Sequence, residues 1–217
     1  GMTLSESDYE KNVFINCPFD EEYKSLLRPM LFTVLMLSFE PRIASERKVS
    51  SEQRISKIKE LIRKSKYSIH DISRMQVKAI GELSRMNMPF ELGLDFGCKE
   101  YGSGVLSKKK CLILDKEPYR YQKALSDLSG SDISSHANKP RKLVRVIRNW
   151  FVENESLTNI PSPTVIWDKY NIFIADFTPK RSEEGFSEDD LQMMPVKELI
   201  GFMRIWLRDG TSESDDR

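Results

Sequence analysis

The chain is poor in the residues that most often bind metals, with two histidines and three cysteines among 217 residues. Cys17, Cys98 and Cys111 are far apart, odd in number and in no metal-ligand spacing. They predict neither a disulfide framework nor a metal centre, and they suit a reducing, cytoplasmic setting. Net charge is nearly absent too: 34 Lys and Arg face 33 Asp and Glu, for a formal charge of +1. So balanced a chain has no general pull on nucleic acid or on an anionic membrane. Long apolar runs are also missing. The longest, Met30 to Phe39, is about half the ~20 residues that a membrane span needs, and it reads as a buried helix. No basic leader precedes it, and Gly1 ahead of Met2 reads as the remnant of an expression tag. No internal repeat is visible.

What remains is ordinary for a globular domain, with 39% hydrophobic and 31% charged residues. The length suits one core and a small appendage. Val13 to Pro18 is an apolar run stopped by proline, the mark of a buried strand, and Asp20 is placed to cap a helix with an acidic first turn. Pro29 is expected to kink or restart that helix. A weak strand follows at Arg42 to Ser45. Ile55, Ile58, Leu61 and Ile62 repeat at helical spacing over 51–64, and Tyr67 to Ile72 forms a third strand. The 75–86 stretch reads as a short helix or loop, 89–98 as a helix, and Lys109 to Asp115 as a fourth strand. The Ser-, Asp- and Gly-rich residues 116–139 read as a long excursion. Residues 141–154 are amphipathic, with Arg141, Arg145 and Arg148 on a face expected to be solvated.

Strand and helix thus alternate over residues 8–158, the pattern of a parallel sheet with helices on both faces, an α/β fold of flavodoxin-like type. Pro161 and Pro163 mark a boundary. A mainly helical appendage is expected over 159–210, with Ser187 and Pro195 as helix starts, Trp206 on an apolar stripe, and a disordered tail at 211–217. The stripe should meet the main body or a second copy, so a homo-oligomer is expected.

In open parallel sheets, ligands bind at the C-terminal strand ends. Those ends carry Pro18-Phe19-Asp20, Ser45, Asp71-Ile72-Ser73 and Asp115, with Asn87 to Gly93 opening a helix beside them. Two carboxylates, Asp71 and Glu91, stand out there, since neither position favours a carboxylate for packing. Residue chemistry alone also allows quieter roles. Asp71 can cap Ser73, and Glu91 can favour the helix dipole. Phe19 and Phe90 can be core aromatics, Arg54 a surface residue and His70 a hydrogen-bonded core histidine. Cys17 and Asp115 line the same expected edge.

Asn12 to Asp20, Arg54-Ile55 heading a helix, Ser68 to Ser73 and Asn87-Met88-Pro89-Phe90-Glu91-Leu92-Gly93 occur in this order. Together they resemble bacterial Toll/interleukin-1-receptor-like (TIR-like) domains, and the pattern is similar to the related nucleoside 2-deoxyribosyltransferase superfamily. There a strand ends in Asp, and Asn-Pro-Asn-Val-x-Tyr-Glu-Leu-Gly opens a helix. Asp71, Asn87, Phe90 and Glu91 stand at the matching positions. The chain departs from the pattern in Met88-Pro89 and in the long interval from Asp71 to Glu91. The resemblance implies cleavage or transfer at an N-glycosidic bond, with NAD or a related nucleotide as substrate, no cofactor and no metal. It assigns Glu91 to the sugar cation and Asp71 to the sugar hydroxyls or leaving base. Pro18, Phe19, Asp20, Ser45, Arg54, Ser73, Asn87 and Phe90 would hold the substrate. It also implies two alternatives, a nucleotide sensor without turnover and a self-associating signalling module; an NAD-consuming effector in bacterial defence is the enzymatic form.

Overall fold

The computed structural model of the chain describes residues 6–44, 51–74, 86–123, 125–128 and 132–212. In chain order these form α1 (Glu6–Lys11), β1 (Asn12–Asn16), a 3-10 turn at Glu21–Tyr23, α2 (Lys24–Met36), β2 (Glu40–Ile43), α3 (Ser51–Arg63) and β3 (Tyr67–Asp71). Then follow α4 (Asn87–Glu100), β4 (Lys110–Asp115), β5 (Ile133–Ser135), α5 (Pro140–Asn154), α6 (Pro163–Glu183), α7 (Glu188–Gln192) and α8 (Val196–Ser212). Ser45, and the expected element at 75–86 apart from Met86, lie outside the described residues.

The five strands make one all-parallel sheet in the order β2-β1-β3-β4-β5, the flavodoxin-like arrangement. A parallel sheet is covered on both faces, which is why β1 and β3 are buried along their whole length. Alternation sorts the side chains between two layers. Val13, Ile15, Tyr67, Ile69, Leu112 and Leu114 share a core with α2, α5, α6 and α8. Phe14 packs with Ile58 and Ile62 of α3, and Ile113 packs with Met88 and Leu92 of α4, both on the opposite face.

Several local expectations change. Asp20 does cap, its Oδ1 accepting from Tyr23 N–H at 2.9 Å, but α2 runs unbroken through Pro29. Pro29 is the sixth residue of α2, past the first turn, so the helix forgoes one i→i−4 bond there while the proline ring is buried with the apolar residues of α2. The chain leaves α2 through Ser38 at φ 64°, a left-handed conformation more usual for glycine. Residues 116–139 contain a strand, β5. It has only three half-buried residues, Ile-Ser-Ser, too short and polar to give a periodic signal.

The Pro161–Pro163 boundary is a helix start: Ser162 Oγ accepts from Val165 N–H at 3.2 Å, and Pro163 opens α6. That 21-residue helix has apolar residues around most of its circumference, so it shows no single stripe. Phe32 of α2 stacks on Phe173 of α6 with centroids 5.6 Å apart and lies 5.9 Å from Trp206 of α8. The expected appendage therefore shares the main core, and the Trp206 stripe is covered by the chain itself. Trp206 Nε1 donates to Asp176 at 2.9 Å. The tail expected to be disordered from residue 211 is helical through Ser212. Among the described residues no helix is long and apolar enough to cross a membrane.

Candidate functional site

Chain order reverses between β1 and β3, since β2 lies to one side of β1 and β3 to the other. The crevice above such a reversal is where open α/β sheets place ligands. A cavity of about 330 Å³ occupies it, lined by Ile15, Asn16, Cys17, Pro18 and Phe19 from the end of β1, Ala44 after β2, Arg54 of α3, and Asn87, Met88 and Glu91 of α4. The volume is at the small end of the range for ligand pockets.

Asn16 ties the crevice together. Its Nδ2 donates to Met88 O at 2.9 Å and lies 2.8 Å from His70 Nδ1, joining β1, β3 and the start of α4. Glu91 sits one turn into α4 with 6% of its surface exposed. Its Oε1 lies 3.5 Å from Arg54 Nη2, a long ion pair at the cavity wall. Burial pushes the Glu91 carboxyl above the usual glutamate range; Arg54 opposes this without cancelling it.

Asp71 is elsewhere. Period-two alternation puts Tyr67, Ile69 and Asp71 toward α2 and α5, while Ser68 and His70 point toward α4. Asp71 is wholly buried. Tyr23 donates to its Oδ2 at 2.5 Å, His136 Nε2 does so at 2.9 Å, and Ser73 N–H reaches Oδ1 at 2.8 Å. Asn138 N–H donates to the other ring nitrogen of His136 at 3.0 Å, so the ring proton is directed at Asp71. Burial works against the anion, yet the hydrogen bonds from His136, Ser73 and Tyr23 hold Asp71 below the usual aspartate range. Burial and the neighbouring carboxylate drive the Tyr23 hydroxyl well above its ordinary value.

The expected pairing of Asp71 with Glu91 is therefore corrected. Asp71 does not line the cavity, its acceptor positions are taken by three donors, and it caps Ser73 as the quieter reading held. Among the other expected substrate contacts, Pro18, Phe19, Arg54 and Asn87 do line the cavity. Phe90 does not; it is 54% exposed on the outer side of α4. Asp20 is engaged with Tyr23 and lies 3.4 Å from Arg74. Ser73 is buried beside Asp71, its carbonyl accepting from Arg120 at 2.7 Å, and the same arginine holds the buried Asp115 through Nε at 2.9 Å. Neither lines the cavity.

Beneath Glu91 lies a buried polar network that sequence reasoning missed. Asp95 is one turn further along α4 on the same side, a spacing of four that the sequence does display. Its Oδ2 lies 2.8 Å from His70 Nε2 and accepts from Ser68, and its Oδ1 lies 3.1 Å from the buried Lys109 ammonium. Lys109 also donates to Ile62 O at 2.8 Å and to Ser65 O. Burial opposes ionisation of Asp95, but His70, Lys109 and Ser68 together hold it down at about 2. His136 was missed as well, because nothing in Ser134-Ser135-His136 announces a buried histidine.

His70, Asp95 and Cys111 offer metal-ligating atoms within 4.8 Å of one another. The donor set suits a borderline metal such as zinc, but its protons do not. The Asn16 nitrogen that donates to Met88 O also faces His70 Nδ1, so Nδ1 accepts and the ring proton sits on Nε2, aimed at Asp95. That leaves Nε2 no lone pair, and the Lys109 cation already balances Asp95. Against its burial, Cys111 and Asp95 raise His70 to about 10, which keeps the Nε2 proton in place, and the cluster is a structural network.

No family model, no curated protein and no solved structure matches the chain.

Proposed function

We propose that the β1–β3 cavity binds a nucleotide or nucleoside and that Glu91 acts on it at the anomeric carbon. The observation that carries this is a nearly buried carboxylate on the wall of an open crevice, at the sheet position where α/β folds bind ligands. The resemblance of Asn87 to Gly93 to TIR-like and deoxyribosyltransferase-like sequences supports the same residue and the same bond.

With Asp71 withdrawn, Glu91 is the one carboxylate among the described cavity residues. Departure of a base from a sugar builds positive charge at the anomeric carbon and on the ring oxygen, which a fixed carboxylate stabilises or traps. A purine leaving from a nucleoside also needs a proton. A pyridinium base such as that of NAD does not: when the C1′–N bond breaks, the electron pair returns to the ring nitrogen and the base leaves neutral. Water then adds its oxygen to C1′ and releases a proton. With Glu91 the one carboxylate among the described lining residues, the site favours an N-ribosyl pyridinium over ordinary nucleosides. An NAD-consuming, cytoplasmic module is the setting this reading fits.

The second reading is a sensor that binds without turnover, favoured by the Arg54–Glu91 ion pair, which occupies the carboxylate. Chromatography of incubations with NAD and a nucleoside panel separates the two. Nicotinamide release that disappears in Glu91→Gln and persists in the exposed-site control Arg145→Ala supports cleavage. A ligand-induced rise in Tm without released base supports sensing. Neither product nor shift would refute both.

A further inference from the structure

We infer that Arg54 is an anion receptor inside the cavity, and that an anionic group on the ligand takes the guanidinium from Glu91 while Glu91 takes up a proton, unless the ligand brings a cation of its own to that carboxylate. This inference deepens the reading of the same cavity, on which it rests, by naming phosphate-bearing ligands over neutral nucleosides and by giving the site a built-in switch. Three observations carry it. The Arg54–Glu91 pair is long, 3.5 Å through a single nitrogen, where a guanidinium and a carboxylate ordinarily form two short parallel bonds. The Arg54 side chain is 29% exposed and that of Glu91 8%, so the arginine is the partner that an incoming solute meets. Both line the cavity, and among its described lining residues Arg54 is the one cation.

Among the described residues the groups facing Glu91 are few. Arg54 comes from α3, His70 from β3 with both ring nitrogens in hydrogen bonds, Cys17 from the loop after β1, and Asp95 from the next turn of α4. Among the described residues none but Arg54 offers the carboxylate a cation within ion-pair distance. An anion seated on Arg54 therefore leaves Glu91 a nearly buried carboxylate with no ion-pair partner among the described residues, only the weaker pull of His70, and a new negative neighbour. For an anion without a cation of its own, such as sulfate, protonation relieves both costs; a pyridinium on the ligand would instead replace the guanidinium and keep Glu91 ionised. By linkage, anion binding and proton binding at Glu91 strengthen each other by the same factor. A neutral nucleoside makes no such exchange and leaves the carboxylate latched.

The test uses sulfate, which stays a dianion across the range in which Glu91 titrates, with isothermal titration calorimetry on the intact chain at several pH values. Sulfate should bind saturably, and its affinity should fall as pH rises, by up to about tenfold per pH unit over the coupled range. Titrations in two buffers of different ionisation enthalpy should reveal proton uptake. Glu91→Gln should bind sulfate at least as tightly at high pH as the parent does at low pH, with no slope. Arg54→Gln should lose at least tenfold in affinity at low pH while keeping its Tm. No saturable binding, a flat pH profile in the parent, or undiminished binding by folded Arg54→Gln would each overturn the inference. Because sulfate carries no glycosidic bond, these outcomes are independent of whether the protein cleaves NAD.

Discussion

Replacing Asp71 with alanine should destabilise the protein severely without touching the cavity that holds Glu91. The change removes a wholly buried carboxylate and strands the Tyr23 hydroxyl, the His136 Nε2 proton and the Ser73 N–H that converge on it. Stranding three buried donors, each in the lower half of the ~1–3 kcal/mol range for an unsatisfied group, costs about 3–5 kcal/mol, more than the ~1.5–3 of one hydrogen bond to a charged group. Against a total of about 5–15 kcal/mol that is a large share, and at ~2–4 °C per kcal/mol for a chain of this size it lowers Tm by about 6–20 °C. The sign with pH follows from the depressed carboxyl: its stabilisation is present above the unfolded aspartate range and lost as pH falls through the folded value. The gap between parent and variant in urea melts should therefore narrow in acid. A variant within about 0.5 kcal/mol of the parent, the size of an unremarkable surface change, or a gap that widens in acid, would refute the reasoning. Asp71→Asn adds the functional contrast. Its amide must turn its nitrogen toward one of the three donors, so it loses part of the stability, but once folded it should bind and cleave as the parent does.

Glu91 should show the opposite balance. Its carboxyl is raised in the fold, so stability present below the unfolded glutamate range is lost as pH rises through the folded value. Glu91→Gln should accordingly raise Tm at pH 7, with the difference vanishing in acid; a lower Tm at pH 7 would contradict the burial argument. In the network below, Asp95→Leu should cost about 3–5 kcal/mol by leaving Lys109 buried without its counter-charge, while Asp95→Leu combined with Lys109→Met should recover much of that. Additive losses in this double-mutant cycle would show that the pair is not coupled. Phe173→Ala should cost about 3–5 kcal/mol and keep a single unfolding transition by tryptophan fluorescence and circular dichroism. Two separate transitions would mean that α6 and α8 form their own unit.

Much of the fold was legible because parallel strands buried on both faces announce themselves as apolar runs: Val13 to Cys17, Tyr67 to Ile72 and Lys109 to Asp115 all became central strands. β5 was hidden because an edge strand of three residues needs no such run, and α6 because a helix packed on several sides carries no stripe. At the site, the crevice and most of its lining followed from strand ends and from the helix opening at Asn87. The misplaced carboxylate of the expected pair was Asp71. Sequence places it correctly at a strand end, but the face it takes depends on the pleat. The period that sets Ile69 into the α2 core sets Asp71 there as well. The same alternation, applied to Ser68 and His70, would have pointed to a polar network under α4. Asn16 escaped notice because its role is to satisfy Met88 O and His70, groups brought together only by the folded sheet.

The most direct test is a crystal structure of Glu91→Gln grown with NAD, since the variant should hold its ligand uncleaved. The ribose that bears nicotinamide should lie beside position 91, with a phosphate on Arg54, and with Asn87 and Phe19 at the cavity wall. Density for NAD against the buried Asp71 side of the sheet, in the separate hollow lined by Lys99, Lys109 and Lys110, or nowhere at saturating ligand would contradict it.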